Sequence, residues 1–290
     1  NALGPIVDKI IKENPGKNAQ IDKILSLKIL DPAMGSAHFL VESGNYLGKR
    51  ILEIDKERNF IETKREIVRR CLYGTDINPL AVELAKMSLW LDTLAKDMPL
   101  SFLATHLKNG NFVLGGTIDM IDDKKPVDRK REEIEGKRLN KDHKLPEGRQ
   151  TTFFTEDYSK SRFKEFVTKY TSFENIPDAN ASAVKMKIEE EIKYRRENSD
   201  YDHLKYLFDL QISKFYGKEI PYSLDLRETI GTKKFPDPTK DKDWKAVREI
   251  AKKEYFFHFE LEFPQIFFDE TGNKLENGGF DVILGNPPYG

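Results

Sequence analysis

The chain has 290 residues, of which 38% are hydrophobic and 33% charged, with a formal net charge of −1. That length allows one large domain or two modest ones, with a core that needs no disulfide or metal, and the single cysteine, Cys71, excludes a disulfide framework and a multi-cysteine zinc site. No apolar run approaches the roughly 18 residues of a membrane span, and bulk charge supplies no basic surface for nucleic acid. We expect a cytoplasmic protein without a secretory signal.

The first third of the chain alternates short apolar runs with stretches of helical periodicity. The apolar runs predict three strands, at Leu27–Leu30, Cys71–Thr75 and Phe102–Leu107. The helical spacing predicts three helices, at Ser36–Leu52, Ile61–Arg70 and Pro79–Leu94. This alternation is typical of a parallel sheet with right-handed crossovers.

The helix predicted at Pro79–Leu94 carries the clearest apolar face. Pro79 suits the first helical position, where its missing N–H costs nothing. One side of the helix is lined by large apolar residues, the pattern of a helix that packs on a core: Leu80, Leu84, Met87, Leu91 and Leu94.

The alternation stops after residue 115. Asp122–Gln150 is dense in charge and poor in large apolar residues, which predicts a mobile loop. Further helices are predicted at Ser159–Tyr170, Ser182–Glu197, Tyr201–Tyr216 and Lys242–Tyr255. We therefore divide the chain into an α/β part (1–115), a helical insertion (116–258) and a return to the sheet (259–290). A fourth strand, Phe280–Leu284, lies in the last part.

A turn of small residues follows the first predicted strand, within Asp31–Leu40. Small residues let a ligand approach the backbone closely, and the carboxyl edge of a parallel sheet is where open α/β folds bind ligands. An ordinary strand-to-helix turn has the same appearance, so this stretch alone leaves both interpretations open.

An acidic residue, Asp76, ends the second predicted strand. Its position allows two hydrogen bonds from a ribose diol, as in dinucleotide-binding folds. The following helix also needs an N-cap, which Asp76 or Asn78 could provide. The two roles are compatible if Asn78 caps the helix and Asp76 holds the ribose.

The third predicted strand leads into the glycine-containing stretch Asn109–Gly115. Asn111 could bond the edge of an adenine ring while Phe112 packs on its face. Taken alone, the stretch is more typical of a plain turn.

The fourth predicted strand runs into Asn286-Pro287-Pro288-Tyr289. The two prolines stiffen the backbone and remove two N–H donors while their carbonyls remain as acceptors. Together with the Asn286 amide and the Tyr289 ring, they form a rigid set of acceptors for a planar amine beside a stacking surface. A simple strand stop is the alternative.

Together these four motifs resemble those of the class I S-adenosylmethionine-dependent methyltransferases, specifically the adenine-N6 DNA methyltransferases of restriction–modification systems. The resemblance implies a partial Rossmann-like α/β sheet, with the helical insertion between the third and fourth strands. It implies S-adenosyl-L-methionine as cofactor, and Ala37 stands where the family usually has glycine. The residues that it places around the cofactor are Asp31, Pro32, Ala33, Met34, Gly35, Ser36, Phe39, Asp76, Ile77, Asn111 and Phe112.

The same resemblance assigns the chemistry to the last motif. In the family, the Asn286 side-chain oxygen and the Pro287 carbonyl accept the two hydrogens of the adenine amine. Pro288 completes the rigid turn, and Tyr289 stacks on a base that has been flipped out of the duplex. No metal and no covalent intermediate is implied, since positioning supplies much of the rate.

The resemblance also implies double-stranded DNA as a partner, held mainly by parts beyond residue 290, and a possible restriction or specificity subunit. We expect a truncated chain that is inactive by itself. Two other classes stay open: a protein-glutamine N5 methyltransferase, which uses the same Asn-Pro-Pro-Tyr motif, and a non-catalytic subunit of a DNA-modification complex. The Asp-Pro-Ala start of the cofactor loop and the intact last motif argue against them.

Overall fold

The computed structural model describes residues 2–93, 103–120, 154–174, 181–196, 199–213, 215 and 242–286. The predicted mobile loop Asp122–Gln150 and the residues Pro287, Pro288 and Tyr289 lie outside these ranges. The helices are α1 (Leu3–Glu13), α2 (Lys17–Leu25), α3 (His38–Ile54), α4 (Phe60–Cys71), α5 (Pro79–Asp92), α6 (Phe154–Glu174), α7 (Ala181–Arg195), α8 (Asp200–Ser213), α9 (Lys242–Lys253), α10 (Phe259–Glu262) and α11 (Pro264–Phe267). The strands are β1 (Ile29–Asp31), β2 (Leu72–Asp76), β3 (Leu107–Asn109) and β4 (Val282–Ile283).

The four strands form one parallel sheet in the order β3-β2-β1-β4. The register pairs Asp31 with Gly74 and Asp76 with Asn109, so the carboxyl ends of the strands meet at one edge. Helices α6 to α9 are inserted between β3 and β4 in the chain. The predicted fold class, a Rossmann-like parallel sheet with a helical insertion after the third strand, is therefore confirmed.

The third strand lies later than predicted. Residues 103–106, part of the run expected as a strand, form a turn in which the His106 N–H donates to the Leu103 carbonyl at 3.1 Å. Leu103 is buried in this turn, so the early part of the apolar run marks packing, and only its last residue, Leu107, belongs to the strand. The strand itself, β3, contains Lys108 and Asn109, and polar residues in a sheet give no apolar run to detect.

Helix α5 buries a different face from the predicted one. Its core contacts come from Val82, Ala85 and Leu89. The large apolar residues of the expected face are between 48% and 65% exposed: Leu80, Leu84, Met87 and Leu91. The small Ala85 side chain lets the helix lie close to the sheet, which turns the larger residues outward; Leu94 lies outside the described residues.

Two amphipathic helices that the sequence analysis did not predict, α1 and α2, begin the chain. They bury Leu3, Val7 and Ile24 against the same core that covers the sheet. A second core, rich in aromatic rings, joins the insertion helices around Phe163, Phe166 and others. Among the helices that the structure describes, none is long and apolar enough to cross a membrane.

Replacing either of two glycines by alanine tests this packing, and the two changes should shift the free energy of unfolding in opposite directions. A Cβ atom on Gly115 would lie 2.1 Å from the carbonyl oxygen of Phe257, so Gly115→Ala must displace backbone. A Cβ atom on Gly44, inside α3, would meet Leu72 at an ordinary 3.8 Å. In urea unfolding we expect Gly115→Ala to lower the free energy of unfolding by about 2–3 kcal/mol and Gly44→Ala to raise it by up to about 1 kcal/mol. Equal effects would contradict this close approach.

Candidate functional site

The turn after β1 is fastened to the end of β2 by three hydrogen bonds. The Met34 N–H donates to the Thr75 carbonyl at 3.0 Å, and the Thr75 hydroxyl donates to the Pro32 carbonyl at 2.8 Å. The Gly35 N–H donates to Oδ2 of Asp76 at 2.9 Å. The predicted cofactor turn and the predicted ribose-binding carboxylate therefore lie together at the carboxyl edge of the sheet.

Two residues of this turn have left-handed backbone conformations, Gly35 with φ of 53° and Ala37 with φ of 66°. A left-handed alanine costs about 1–2 kcal/mol, which accounts physically for glycine as the usual residue at the second position. Ala37 is completely buried immediately before α3. The strained backbone at Ala37 is thus held by the packing around it.

The two roles considered for Asp76 and Asn78 are structurally compatible. Asn78 is the N-cap of α5, and its side-chain oxygen accepts the Leu80 N–H at 3.0 Å, with Pro79 next in the helix. Asp76 accepts N–H groups from Gly35 at Oδ2 and from Asn78 at Oδ1, the latter at 2.8 Å. A carboxylate has about four acceptor positions, so Asp76 retains capacity for a ligand hydroxyl.

Asn109 is a site residue that the sequence analysis passed over as part of a turn. Its side-chain amide donates to the carbonyls of Asp76 and Ile77 at 2.8 and 2.9 Å. The Gly110 N–H reaches the Asp76 carbonyl as well, at 2.9 Å. The end of β3 therefore fixes the backbone that carries Asp76.

The predicted adenine-binding loop lies along the segment that follows helix α9. The Asn111 N–H donates to the Tyr255 carbonyl at 2.7 Å, and the Phe257 N–H donates to the Leu114 carbonyl at 2.8 Å. The Asn111 side-chain oxygen accepts the Val113 N–H at 3.2 Å. Both Asn111 and its neighbour Phe112 are partly exposed, so the loop is ordered by backbone contacts while its side chains stay accessible.

The end of β4 lies beside the turn after β1. The Leu284 N–H donates to the Leu30 carbonyl at 2.8 Å, and a Cβ atom on Gly285 would lie 3.3 Å from Oδ1 of Asp31. Asn286, which follows directly, is exposed. The first residue of the predicted catalytic motif thus follows a glycine that lies close to Asp31.

Asp31 has an unusual environment for a carboxylate. It has no solvent exposure, its Oδ1 accepts the Ala33 N–H at 3.2 Å, and its Oδ2 has no hydrogen-bond partner. Burial raises the pKa of Asp31 to about 6, the Ala33 N–H opposes this rise, and the nearby charge of Asp76 adds to it. A buried, half-satisfied carboxylate therefore lies at the carboxyl end of β1.

The other predicted cofactor residues divide into supporting and accessible groups. Met34 is buried, and its sulfur covers Gly74, where a Cβ atom would lie 2.3 Å from it. Ser36 is exposed, while Phe39 and Ile77 are 45% and 50% exposed. Met34 thus supports the turn from the core, whereas the half-exposed apolar side chains leave surface that a ligand could cover.

Comparison with known proteins identifies the family. The sequence model of the family described as Eco57I restriction-modification methylase matches residues 70–290, from the start of β2 to the last motif. The chain belongs to this methylase family. The model of the MmeI DNA-methyltransferase domain matches residues 8–109, which contain the turn after β1 and strands β2 and β3.

One curated protein is similar to nearly the whole of this chain. It is described as a putative type II restriction enzyme and methyltransferase of Methanocaldococcus jannaschii, and it is 26% identical to this chain over an alignment of 306 positions. The alignment covers 97% of this chain and 24% of the relative, so the chain spans about a quarter of the relative's length. No solved structure matches this member of the family.

Proposed function

We propose that this chain forms the S-adenosyl-L-methionine-binding and catalytic part of a DNA methyltransferase that modifies N6 of adenine. The observation that carries the proposal is the meeting of three segments at one edge of the sheet. The turn containing Asp31 and Gly35 is hydrogen-bonded to Asp76. Gly285, directly before Asn286, lies so close to Asp31 that a Cβ atom there would be 3.3 Å from its Oδ1. This edge is where open α/β sheets bind their ligands.

The donor and acceptor groups present fit the proposed cofactor. S-adenosyl-L-methionine carries a cationic sulfonium and a cationic amine, together with a ribose diol and an adenine. The buried Oδ2 of Asp31 has no partner, and a cationic ligand group would offset its cost of burial. Asp76 has acceptor capacity for the diol, and Asn111 and Phe112 are partly exposed for the adenine.

The proposed chemistry needs few groups from the protein. The cofactor supplies an activated methyl group when it is bound. Asn286 and the Pro287 carbonyl would hold the target amine by accepting its hydrogens, and Tyr289 would stack on the flipped base. Rigid placement of the amine opposite the methyl group contributes to the rate through orientation.

Double-stranded DNA is the proposed substrate, bound mainly by parts of the protein outside this chain. Charges of the two signs nearly balance in and around the insertion, with 31 Lys and Arg against 29 Asp and Glu across residues 121–260. Phosphate contacts usually dominate DNA affinity. A restriction or specificity subunit is a further proposed partner, in keeping with the family.

The deciding experiment is radiolabelled methyl transfer by the full-length protein, followed by digestion and identification of the labelled product. Label in N6-methyladenine supports the proposal. Label in cytosine rejects the adenine assignment, and label in protein glutamine favours the N5 methyltransferase alternative. Absence of transfer despite cofactor binding favours a non-catalytic subunit.

The role of Asp76 in cofactor binding can be tested by comparing its alanine variant with that of the nearby Asn78. We expect Asp76→Ala to weaken calorimetric binding of S-adenosylhomocysteine by about 100-fold or more, the scale of one lost charged hydrogen-bond group. Asn78→Ala is the matched control. It removes the N-cap of α5 and costs about 1 kcal/mol of stability, with little change in affinity. Equal affinities of the two variants would contradict the role of Asp76.

A further inference from the structure

The loop between Asn109 and Gly116 is held at both ends by the segment Tyr255–Glu262, where the insertion returns to the sheet. At its start, Lys108 donates to the carbonyl of Glu262 at 2.8 Å and to its Oε2 at 3.3 Å. At its end, the Gly116 N–H donates to Nδ1 of His258 at 2.9 Å. The middle of the loop is hydrogen-bonded to the same segment, at Tyr255 and Phe257. The segment Tyr255–Glu262 therefore sets the position of this loop.

The contact at the start of the loop is a buried ionic network. Lys108 and Glu262 are each 8% exposed. Oε2 of Glu262 also forms an ion pair with Arg195 of α7 at 2.9 Å, and its Oε1 accepts a hydrogen bond from the hydroxyl of Tyr201 of α8. Burial raises the pKa of Glu262, but Arg195 and Lys108 outweigh it and hold that pKa well below its usual range. Glu262 is therefore a permanent anion whose position is set by three donors.

The geometry of β3 connects this ion pair with the carboxyl edge of the sheet, where the cofactor is proposed to bind. Successive side chains of a strand point to opposite faces of the sheet, and Asn109 follows Lys108 directly. While Lys108 reaches Glu262, the Asn109 amide holds the Asp76 and Ile77 carbonyls at 2.8 and 2.9 Å. A displacement of Lys108 would therefore move the backbone that carries Asp76, without any contact between Lys108 and the ligand.

We propose that Lys108 and Glu262 are positioning residues. Through this ion pair the helical insertion, whose Arg195 and Tyr201 hold Glu262, sets the loop that receives the adenine and ribose end of the cofactor. The proposal rests on the proposed function, because it assumes that S-adenosyl-L-methionine binds at this edge. It gives the insertion a role in the cofactor site that is separate from DNA contact. Neither residue is a catalytic residue in this scheme.

The test compares Lys108→Met with Lys108→Arg in the full-length protein. Met keeps most of the side-chain volume and removes the charge, whereas Arg keeps the charge. We expect Lys108→Met to weaken S-adenosylhomocysteine binding by about tenfold or more, which corresponds to about 1.4 kcal/mol of binding free energy. Arg should recover most of the affinity. In methyl transfer, the KM for the cofactor should rise while kcat at saturating cofactor changes little.

A second readout follows the loop directly. In hydrogen exchange without ligand, the amides of Asn111 and Gly116 should exchange faster in Lys108→Met. The matched control is Arg248→Gln, which removes a different ion pair of the insertion, with Asp202 between α8 and α9. This control should leave the affinity and both amides unchanged, because its ion pair joins α8 to α9 and involves neither Lys108 nor Glu262.

The outcomes separate this proposal from the proposed function. Wild-type protein that does not bind S-adenosylhomocysteine contradicts both. If wild type binds, equal affinity and equal exchange in Lys108→Met overturn the positioning role alone. Equal weakening by Arg248→Gln also overturns it, since any loosening of the insertion would then suffice. If Lys108→Met does not fold, Tyr201→Phe removes one hydrogen bond to Glu262 and should give a smaller loss of affinity in the same direction; an unchanged affinity overturns the proposal.

Discussion

Replacing Asn286 by alanine is expected to reduce adenine methylation by about 100- to 1,000-fold, if its amide oxygen contributes as much as one preorganised polar contact at a reacting centre. Asn286 follows Gly285, which lies close to Asp31, and it makes no hydrogen bond to the turn after β1 in the described structure. Cofactor binding should therefore survive the change. The measurement is radiolabelled methyl transfer by the full-length protein, beside calorimetric titration with S-adenosylhomocysteine.

The aromatic residue of the same motif supplies graded controls. Tyr289→Ala should be milder than Asn286→Ala, because stacking contributes roughly 1–3 kcal/mol per base. Tyr289→Phe should be milder still, because the ring is retained. Adenine methylation that persists in Asn286→Ala would reject the mechanism while leaving the cofactor assignment intact. Loss of cofactor binding in the same variant would place Asn286 in the cofactor site instead.

The parallel sheet was predictable because its signals are local. Apolar runs mark β1 and β2, and the helix that begins at Pro79 has its proline and cap within two residues of each other. The ligand edge followed from the same signals, since strands that are parallel end at one edge. These features depend on neighbouring residues, which a single sequence displays directly.

The support of the site was not predictable in this way. Lys108 and Glu262 are 154 positions apart, and nothing in their local sequence pairs them. Lys108 also interrupts the apolar pattern of β3, so the strand was placed too early. The role of Asn109 has no local signal, because the carbonyls that it holds, of Asp76 and Ile77, lie at the end of a different strand. Contacts of this kind require the register of the sheet, which hydropathy does not contain.

The exposed face of α5 has a related physical cause. Periodicity shows that one side of the helix is apolar, but Val82 and Leu89 provide a second apolar side. The packing surface was decided by the close approach that Ala85 allows, at complete burial. A helix that is apolar on two sides does not reveal from sequence alone which side faces the sheet.

Asp31→Asn is expected to stabilise the ligand-free protein at pH 8 by about 3 kcal/mol, because burial raises the pKa of Asp31 from 3.8 to about 6 and each pKa unit corresponds to about 1.4 kcal/mol. The folded state binds the proton more tightly than the unfolded state. Wild type therefore loses stability as pH rises from about 4 to about 6 and stays at the lower level above that range. The asparagine variant has no such charge, so the two proteins should converge below about pH 4.

The measurement is urea unfolding of both proteins from pH 4 to pH 8, with Asp22→Asn, an exposed aspartate on α2, as control. Exposed substitutions usually stay within about 0.5 kcal/mol. A variant no more stable than wild type at pH 8, or a difference that persists at pH 4, would show that the Asp31 carboxylate is not the source. S-adenosylmethionine should stabilise wild type more than the variant, since only wild type has the anion for its cationic groups. The buried charge of Asp31 would thus lower the stability of the ligand-free protein, and a cationic ligand would offset that loss. Such a loss of stability is what a preformed binding site costs.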